Sequence, residues 1–218
     1  MTKTPRTDSA HLTRRRLLLG GAAVSAMALS AFGGRLRRAQ AATDDKAACG
    51  TYVITEDGLH MQPWFIQDSF LDLNEELKTA KKQGKWFVVV VEQKGCPYCA
   101  KMHEKILVRP EVCDYLRKHF AILQINLKGL REVTDFDGET LSERDWCRKY
   151  MAFTTPYILF FDMEDPENLG KRTPQMRIVH RLPGLIAATP ADFLKAFKYV
   201  TSGAYKKVPF LQYMRKKS

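Results

Sequence analysis

Trp86-Phe87-Val88-Val89-Val90-Val91-Glu92-Gln93-Lys94-Gly95-Cys96-Pro97-Tyr98-Cys99 is the stretch on which the fold turns. Four consecutive valines after Trp86 and Phe87, with no polar alternation, predict a central strand covered on both faces over 86–92. Gly95 permits a tight turn, and Pro97 suits the first position of a helix, where its missing N–H costs nothing. A helix opening at Cys96 aims unpaired backbone N–H groups and the positive end of its dipole at that sulfur, which favours the thiolate. The Cys-x-x-Cys therefore reads as a redox dithiol. A purely structural disulfide has no need of a strand-to-helix junction, and a structural zinc site needs two more ligands at comparable spacing, yet there is no second Cys-x-x-Cys.

Outward from this core, the sequence predicts an alternation of helices and strands. Upstream, a polar lead-in over 42–62 precedes a helix capped by Asp68 and running to Gln83, with Phe70, Leu73 and Leu77 on one face and Gly84 as its stop. Downstream, the Pro97 helix runs towards Ile106, a second helix occupies 110–118, and 120–127 returns as a strand parallel to the first. Residues 128–141 are polar, punctuated by glycine and without period, so they read as an irregular insertion before a helix capped by Ser142. Strands at 154–161 and 175–181, joined by a turn-rich excursion, predict an antiparallel pair. Thr189-Pro190-Ala191-Asp192 is a cap, an N1 proline and an acid in the first turn for a last helix to about Thr201, and the lysine-rich tail is expected to fray.

The N-terminus speaks to compartment. Thr13-Arg14-Arg15-Arg16-Leu17-Leu18 is a twin-arginine pattern before a small-residue apolar run from Leu17 to Phe32, too short and too glycine-rich for a spanning helix. Ala39-Gln40-Ala41 is an A-x-A cleavage site, so 1–41 reads as an export signal with the mature chain starting at Ala42 and no stable membrane anchor. The formal charge of +11 owes most of its size to that segment, which carries eight Lys or Arg against the single acid Asp8. The remaining cations are dispersed among acids, which argues against a nucleic-acid partner. The expected organisation is signal 1–41, an extension 42–66, a main domain 67–205 and a basic tail 206–218.

All five cysteines lie beyond the signal, in a chain bound for an oxidising space. Cys113, beside Val112 and Leu116, and Cys147, beside Trp146, read most simply as small core residues. Cys49 can pair with either, and sequence does not fix which.

The order of these elements, with Thr155-Pro156 opening the third strand, resembles the thioredoxin fold. That fold implies an α/β domain with a mixed sheet of four to five strands flanked by helices, here with an insertion before the proline strand. More narrowly, Phe70-Leu71-Asp72-Leu73, Gly84-Lys85, the segment 93–99, His103-Glu104 and Thr155-Pro156 are similar to those of periplasmic thioredoxins encoded with sulfur-oxidation systems. The resemblance implies a thiol:disulfide oxidoreductase, without a cofactor, in which Cys96 attacks, Cys99 resolves and Pro156 is a cis-proline beside them. Thr155 would offer backbone groups to an extended protein substrate, Pro97 and Tyr98 would line its path, and a membrane carrier would return electrons. Many thioredoxins place a buried acid beneath the dithiol. Here the nearest acid is Glu92, which reads equally as a proton acceptor for Cys99 or as a solvated strand end. Lys94 stands near enough in sequence to favour the Cys96 thiolate, or is a solvated turn residue.

Three other readings stay open, one of them a noncatalytic binding module that uses only the peptide groove. The same dithiol run in reverse is a disulfide-forming oxidase or isomerase. Cys96, Cys99, Met102 and His103 also offer soft ligands within two helical turns, a set copper(I) accepts, with His103 otherwise a surface or partly buried polar residue.

Overall fold

The structure is a computed structural model that describes residues 49–215. The export signal read over 1–41 lies outside them. The first described elements are a two-residue hairpin, β1 (Val53–Ile54) against β2 (His60–Met61), within the stretch expected to be a polar lead-in. Helix α1 (Leu73–Lys82) then leads into β3 (Trp86–Glu92). Helix α2 (Pro97–Lys101) carries on as a π-helical stretch over Met102–Leu107 and is followed by α3 (Pro110–His119) and β4 (Phe120–Asn126).

Next come the hairpin β5 (Glu132–Thr134) and β6 (Thr140–Ser142), then α4 (Glu143–Lys149), β7 (Tyr157–Phe161), the short α5 (Pro166–Gly170) and a 3-10 turn at Pro174–Arg177. Strand β8 (Ile178–Pro183), α6 (Pro190–Thr201) and α7 (Phe210–Arg215) close the described chain. No helix among the described residues is long and apolar enough to cross a membrane.

The central sheet has the order β4-β3-β7-β8, with β3 parallel to β4 and the other pairings antiparallel, which is the α/β thioredoxin-like arrangement. Strand β3 lies inside it, and its valines divide between two cores. Val89 and Val91 pack with Leu73, Leu77, Trp146 and Tyr150, whereas Val88 and Val90 pack with Ile106, Leu116 and Phe197. The run lacks alternation because both faces are dry, and each such side chain contributes about 1.5–3 kcal/mol on burial.

The structure moves several expected boundaries. The cap of α1 is Asp72, whose carboxylate accepts from the N–H groups of Asn74 and Glu75, not Asp68, which sits at φ +48°. The physical reason lies in Leu71: its carbonyl accepts from Thr134 N–H at 3.0 Å, and with Leu71 itself at φ +56° the chain turns there, so Asp72 is bridged to Thr134 with extended backbone and helix begins only afterwards. Phe70, expected on the buried face, is consequently 95% exposed.

Residues 128–141 are a built hairpin rather than an irregular insertion. They are fixed by a buried cluster in which Arg177 Nη1 donates to Asp135 Oδ2 at 2.7 Å and to Tyr150 Oη at 3.0 Å. The tail does not fray up to Arg215: Phe210 lies 4.6 Å from the His180 ring, and Tyr199 Oη donates to Val208 O at 2.7 Å. Between Lys207 and Arg215 stand Phe210 and Tyr213, which pack against the core, and composition alone conceals them.

Cys113 is not a free core thiol. It is bonded to Cys49, with Cα atoms 5.8 Å apart, and ties the N-terminal segment to α3. Cys147 is the free, buried cysteine among the described residues. Burial and the neighbouring Glu143 carboxylate push its thiol up to about 12, so it is inert at neutral pH.

Candidate active site

Strand β3 ends at Glu92 and the chain turns sharply before α2. Gly95, at φ +75°, takes the left-handed position that a side chain would resist, and Cys96 N–H donates to Gln93 O. Cys96 itself caps α2 with extended backbone, and Pro97 holds the first helical position. The Cys99 N–H donates to Cys96 Sγ at 3.1 Å. A free helical N–H aimed at a sulfur is the local interaction that stabilises a thiolate there. Cys96 and Cys99 are joined as a disulfide, with Cys99 1% and Cys96 5% exposed.

The sheet brings the second half of the site. Val91 of β3 pairs with Tyr157 of β7, so the residues just before Tyr157 stand beside the residues just after Glu92. The Thr155–Pro156 peptide is cis, and Thr155 O lies 3.5 Å from Cys96 Sγ. Gly184 N–H, at the end of β8, donates to Pro156 O at 2.8 Å and holds this turn from the other side. Tyr98, between the two cysteines in sequence, and Phe153, two residues before Thr155, are 61% and 64% exposed. Cys96, Cys99, Thr155 and Pro156 are thus gathered in one place, with Pro97 and Tyr98 on its outer rim. Lys94 spends its stem elsewhere, lying over Gly58, where an added Cβ would meet its Cδ at 2.9 Å.

Beneath the dithiol the sequence reading was incomplete. Glu92 is no solvated strand end: it is fully buried, and its Oε1 lies 2.7 Å from His103 Nε2. His103 is fully buried too, which corrects its reading as a surface or partly buried residue. Its Nδ1 lies 3.2 Å from Gln62 Nε2, contributed by the segment before α1. Both ring nitrogens are engaged, and Met102 packs among Val88, Val90 and Ile106, so the soft-ligand set imagined for copper does not converge. Among the described residues, the cluster of three metal-type ligands within mutual reach is Cys49, Cys113 and Asp114, and two of these are spent in a disulfide. The signal for the Glu92–His103 pair was faint in sequence. It consists of one acid closing an apolar strand and one histidine four residues past Cys99.

Residues 73–201 match the family profile described as "Thioredoxin-like domain". No curated protein matches the chain significantly. Among solved structures, the chain is similar to a thioredoxin-fold protein from Helicobacter pylori, at 20% identity and TM-score 0.48, over 61% of this chain and 83% of that one. It is also similar to a thioredoxin from Thermus thermophilus, at 24% identity and TM-score 0.42, over 58% of this chain and 82% of that one. A third similarity is to the C-terminal domain of DsbD from Neisseria meningitidis in its oxidised form, at 16% identity and TM-score 0.37, over 57% and 88% of the two chains.

Proposed function

The chain belongs to the thioredoxin-like domain family, whose profile covers more than half of it, and from that premise we propose that it is a thiol:disulfide oxidoreductase acting on protein disulfides. The observation that carries this reading is the position of Cys96 Sγ, at the mouth of α2, 3.1 Å from the Cys99 N–H and 3.5 Å from Thr155 O. A thiolate there is stabilised by the helix and has its resolving partner one turn inward. Thr155 supplies backbone groups to an extended substrate segment beside the sulfur, Pro156 shapes that edge, and Pro97 and Tyr98 flank it.

The cycle starts with the reduced pair. Cys96 thiolate attacks one sulfur of a partner disulfide, the partner's other sulfur leaves as a thiolate, and a mixed disulfide remains. Cys99 then attacks Cys96, the second partner sulfur leaves, and the protein is oxidised by two electrons as the partner is reduced. We favour this reductive direction, with a membrane electron donor restoring the dithiol. The twin-arginine pattern at 14–16 and the A-x-A site at 39–41 support a periplasmic setting, and the motifs at 93–99 and 103–104 support a role in sulfur oxidation or cytochrome c maturation. The oxidative direction is separated by the reduction potential, where about 30 mV corresponds to 1.4 kcal/mol for two electrons.

The test is capture. A Cys99→Ala variant expressed with its signal should accumulate Cys96-linked mixed disulfides with exported proteins, and the wild type should reduce insulin disulfides. Absence of any Cys96-dependent adduct, together with intact insulin, would overturn the proposal.

A further inference from the structure

The dithiol stands at one end of the central sheet, and the other end has a chemistry of its own. Trp86 opens β3 and Glu92 closes it, so the two ends lie about 20 Å apart at about 3.3 Å per residue. Three helices finish towards the Trp86 end with basic residues in their last turns: Lys81 and Lys82 of α1, Arg117 to His119 of α3, and Lys198 of α6.

Between these helix ends lie three depressions of about 610, 300 and 490 Å³. The first and second share Lys85, and the second and third share Gly84 and Trp86, so together they make one continuous face. Lys81, Lys85, Arg117, Lys118 and Lys198 line it, against Asp114 as the acid among the lining residues. Lys81 is ion-paired with Asp165, whereas Lys118 and Lys198 stand exposed. Cations that are dispersed along the sequence are gathered by the fold.

Placement at helix C-termini complements the helix dipole and accounts for the sign of the charge. It does not account for the rings among the lysines. Trp64, Trp86, Tyr115 and Tyr213 line the same depressions, each half-buried. They are held in place: Tyr115 Oη lies 2.7 Å from Thr201 Oγ1, the Trp86 ring 6.0 Å from that of Tyr205, and Lys198 Nζ 5.3 Å from the Tyr115 ring centroid. A half-buried Trp or Tyr presents an apolar body and a polar tip, and such rings settle at the level of lipid headgroups.

We propose that this face docks the protein, peripherally and reversibly, on an anionic phospholipid surface, with the dithiol at the far end of the sheet turned towards its partners. The cations come from separate elements with rings between them. That suits a charged plane, to which each contributes on its own, better than a small anion that needs donors converging on one point. The proposal goes beyond the oxidoreductase reading and does not depend on it.

Tryptophan fluorescence reads the face directly. Trp64 and Trp86 belong to it, Trp146 is fully buried in the core, and the chain has three tryptophans in all. The full-length protein is mixed with vesicles of phosphatidylglycerol and phosphatidylcholine whose acyl chains carry bromine, a contact quencher. Quenching is expected with these vesicles. It should be absent with brominated phosphatidylcholine alone, and at about 1 M salt, where screening acts within about 3 Å. At about fivefold per lysine near the surface, Lys85→Gln, Lys118→Gln and Lys198→Gln together should raise the lipid concentration for half-maximal quenching by about 100-fold. The corresponding triple arginine variant should bind like wild type, and insulin reduction, carried out at the other end of the sheet, should be unchanged in both. Should the triple glutamine variant fail to fold, Lys118→Gln with Lys198→Gln, both at exposed positions, should give about 25-fold. Absence of quenching by the mixed vesicles, equal quenching of wild type and glutamine variant, or vesicle binding without quenching, which would put the contact elsewhere on the chain, overturns the proposal. Binding to polyglutamate without quenching by vesicles would give the face to an acidic protein and overturn it as well.

Discussion

Removing the Cys49–Cys113 bond should lower stability by an amount the loop it closes sets. The two cysteines are 64 residues apart in sequence. Closing a loop of that length removes about 14 cal/mol/K of chain entropy from the unfolded state, or about 4 kcal/mol at 25 °C. Engineered and native bonds often deliver less, so a loss of about 2–4 kcal/mol is expected from a Cys49→Ala, Cys113→Ala double variant. Alanine is the replacement of choice because Cys113 is fully buried and a serine would bring in a hydroxyl without a partner. Guanidinium unfolding under non-reducing conditions, with Cys96–Cys99 oxidised in both proteins, measures the difference. The midpoint should fall by about 1 M and the slope should steepen, since the uncrosslinked unfolded chain exposes more surface. An unchanged midpoint, or a loss below about 1 kcal/mol, would refute the reasoning and mean that packing alone secures the N-terminal segment.

His180 is wedged among Phe160, Tyr199 and Phe210, and burial, helped by the Arg181 charge, lowers its pKa from 6.5 to about 4. The unfolded chain therefore binds a proton that the native state refuses, so stability should fall as pH drops from about 6.5 towards 4. Discounted for the ring's partial exposure, the loss is about 1–2 kcal/mol. A His180→Phe variant should flatten that part of the stability profile, and parallel profiles would count against the assignment. Arg177→Ala should cost about 2–4 kcal/mol in the same unfolding assay, because it takes one of two cationic partners from the buried Asp135 carboxylate, leaving it Lys149 and the Tyr150 hydroxyl, and a cost under about 1 kcal/mol would contradict the buried-pair account. Cys147 should resist alkylation in the native protein and react only on unfolding, as mass mapping would check. Native labelling at a rate near that of Cys96 would contradict its burial.

What the sequence disclosed was whatever rests on local chemistry. The β3 valines, the Gly95 turn, the Pro97 start and the Thr189 cap of α6 each follow from backbone preferences of neighbouring residues, and α6 begins and ends where its signals stand. What stayed hidden depends on contacts between distant residues. Asp68 and Asp72 are equally good caps in isolation, and only the pairing of Leu71 O with Thr134 N–H decides between them. The hairpin over 132–142 has no clear period because Asp135 and Arg177, 42 residues apart, supply the burial that apolar residues supply elsewhere. The candidate site divides along the same line. Cys96, Cys99 and the Thr155-Pro156 pair were legible as motifs, whereas Glu92, His103 and Gln62 meet only through tertiary packing, with Gln62 lying 41 residues before His103.

The most direct test of the whole account is the reactivity of residue 96 in the reduced protein. At pH 7 an ordinary thiol, with a pKa near about 8.5, is only a few per cent ionised. Brief iodoacetamide treatment at about pH 6–7, followed by mass mapping, should modify Cys96 first, several-fold faster than the same cysteine in the unfolded chain, with Cys99 and Cys147 protected. Labelling of Cys96 no faster than in the unfolded chain, or of Cys99 ahead of it, would contradict a thiolate held at the helix mouth.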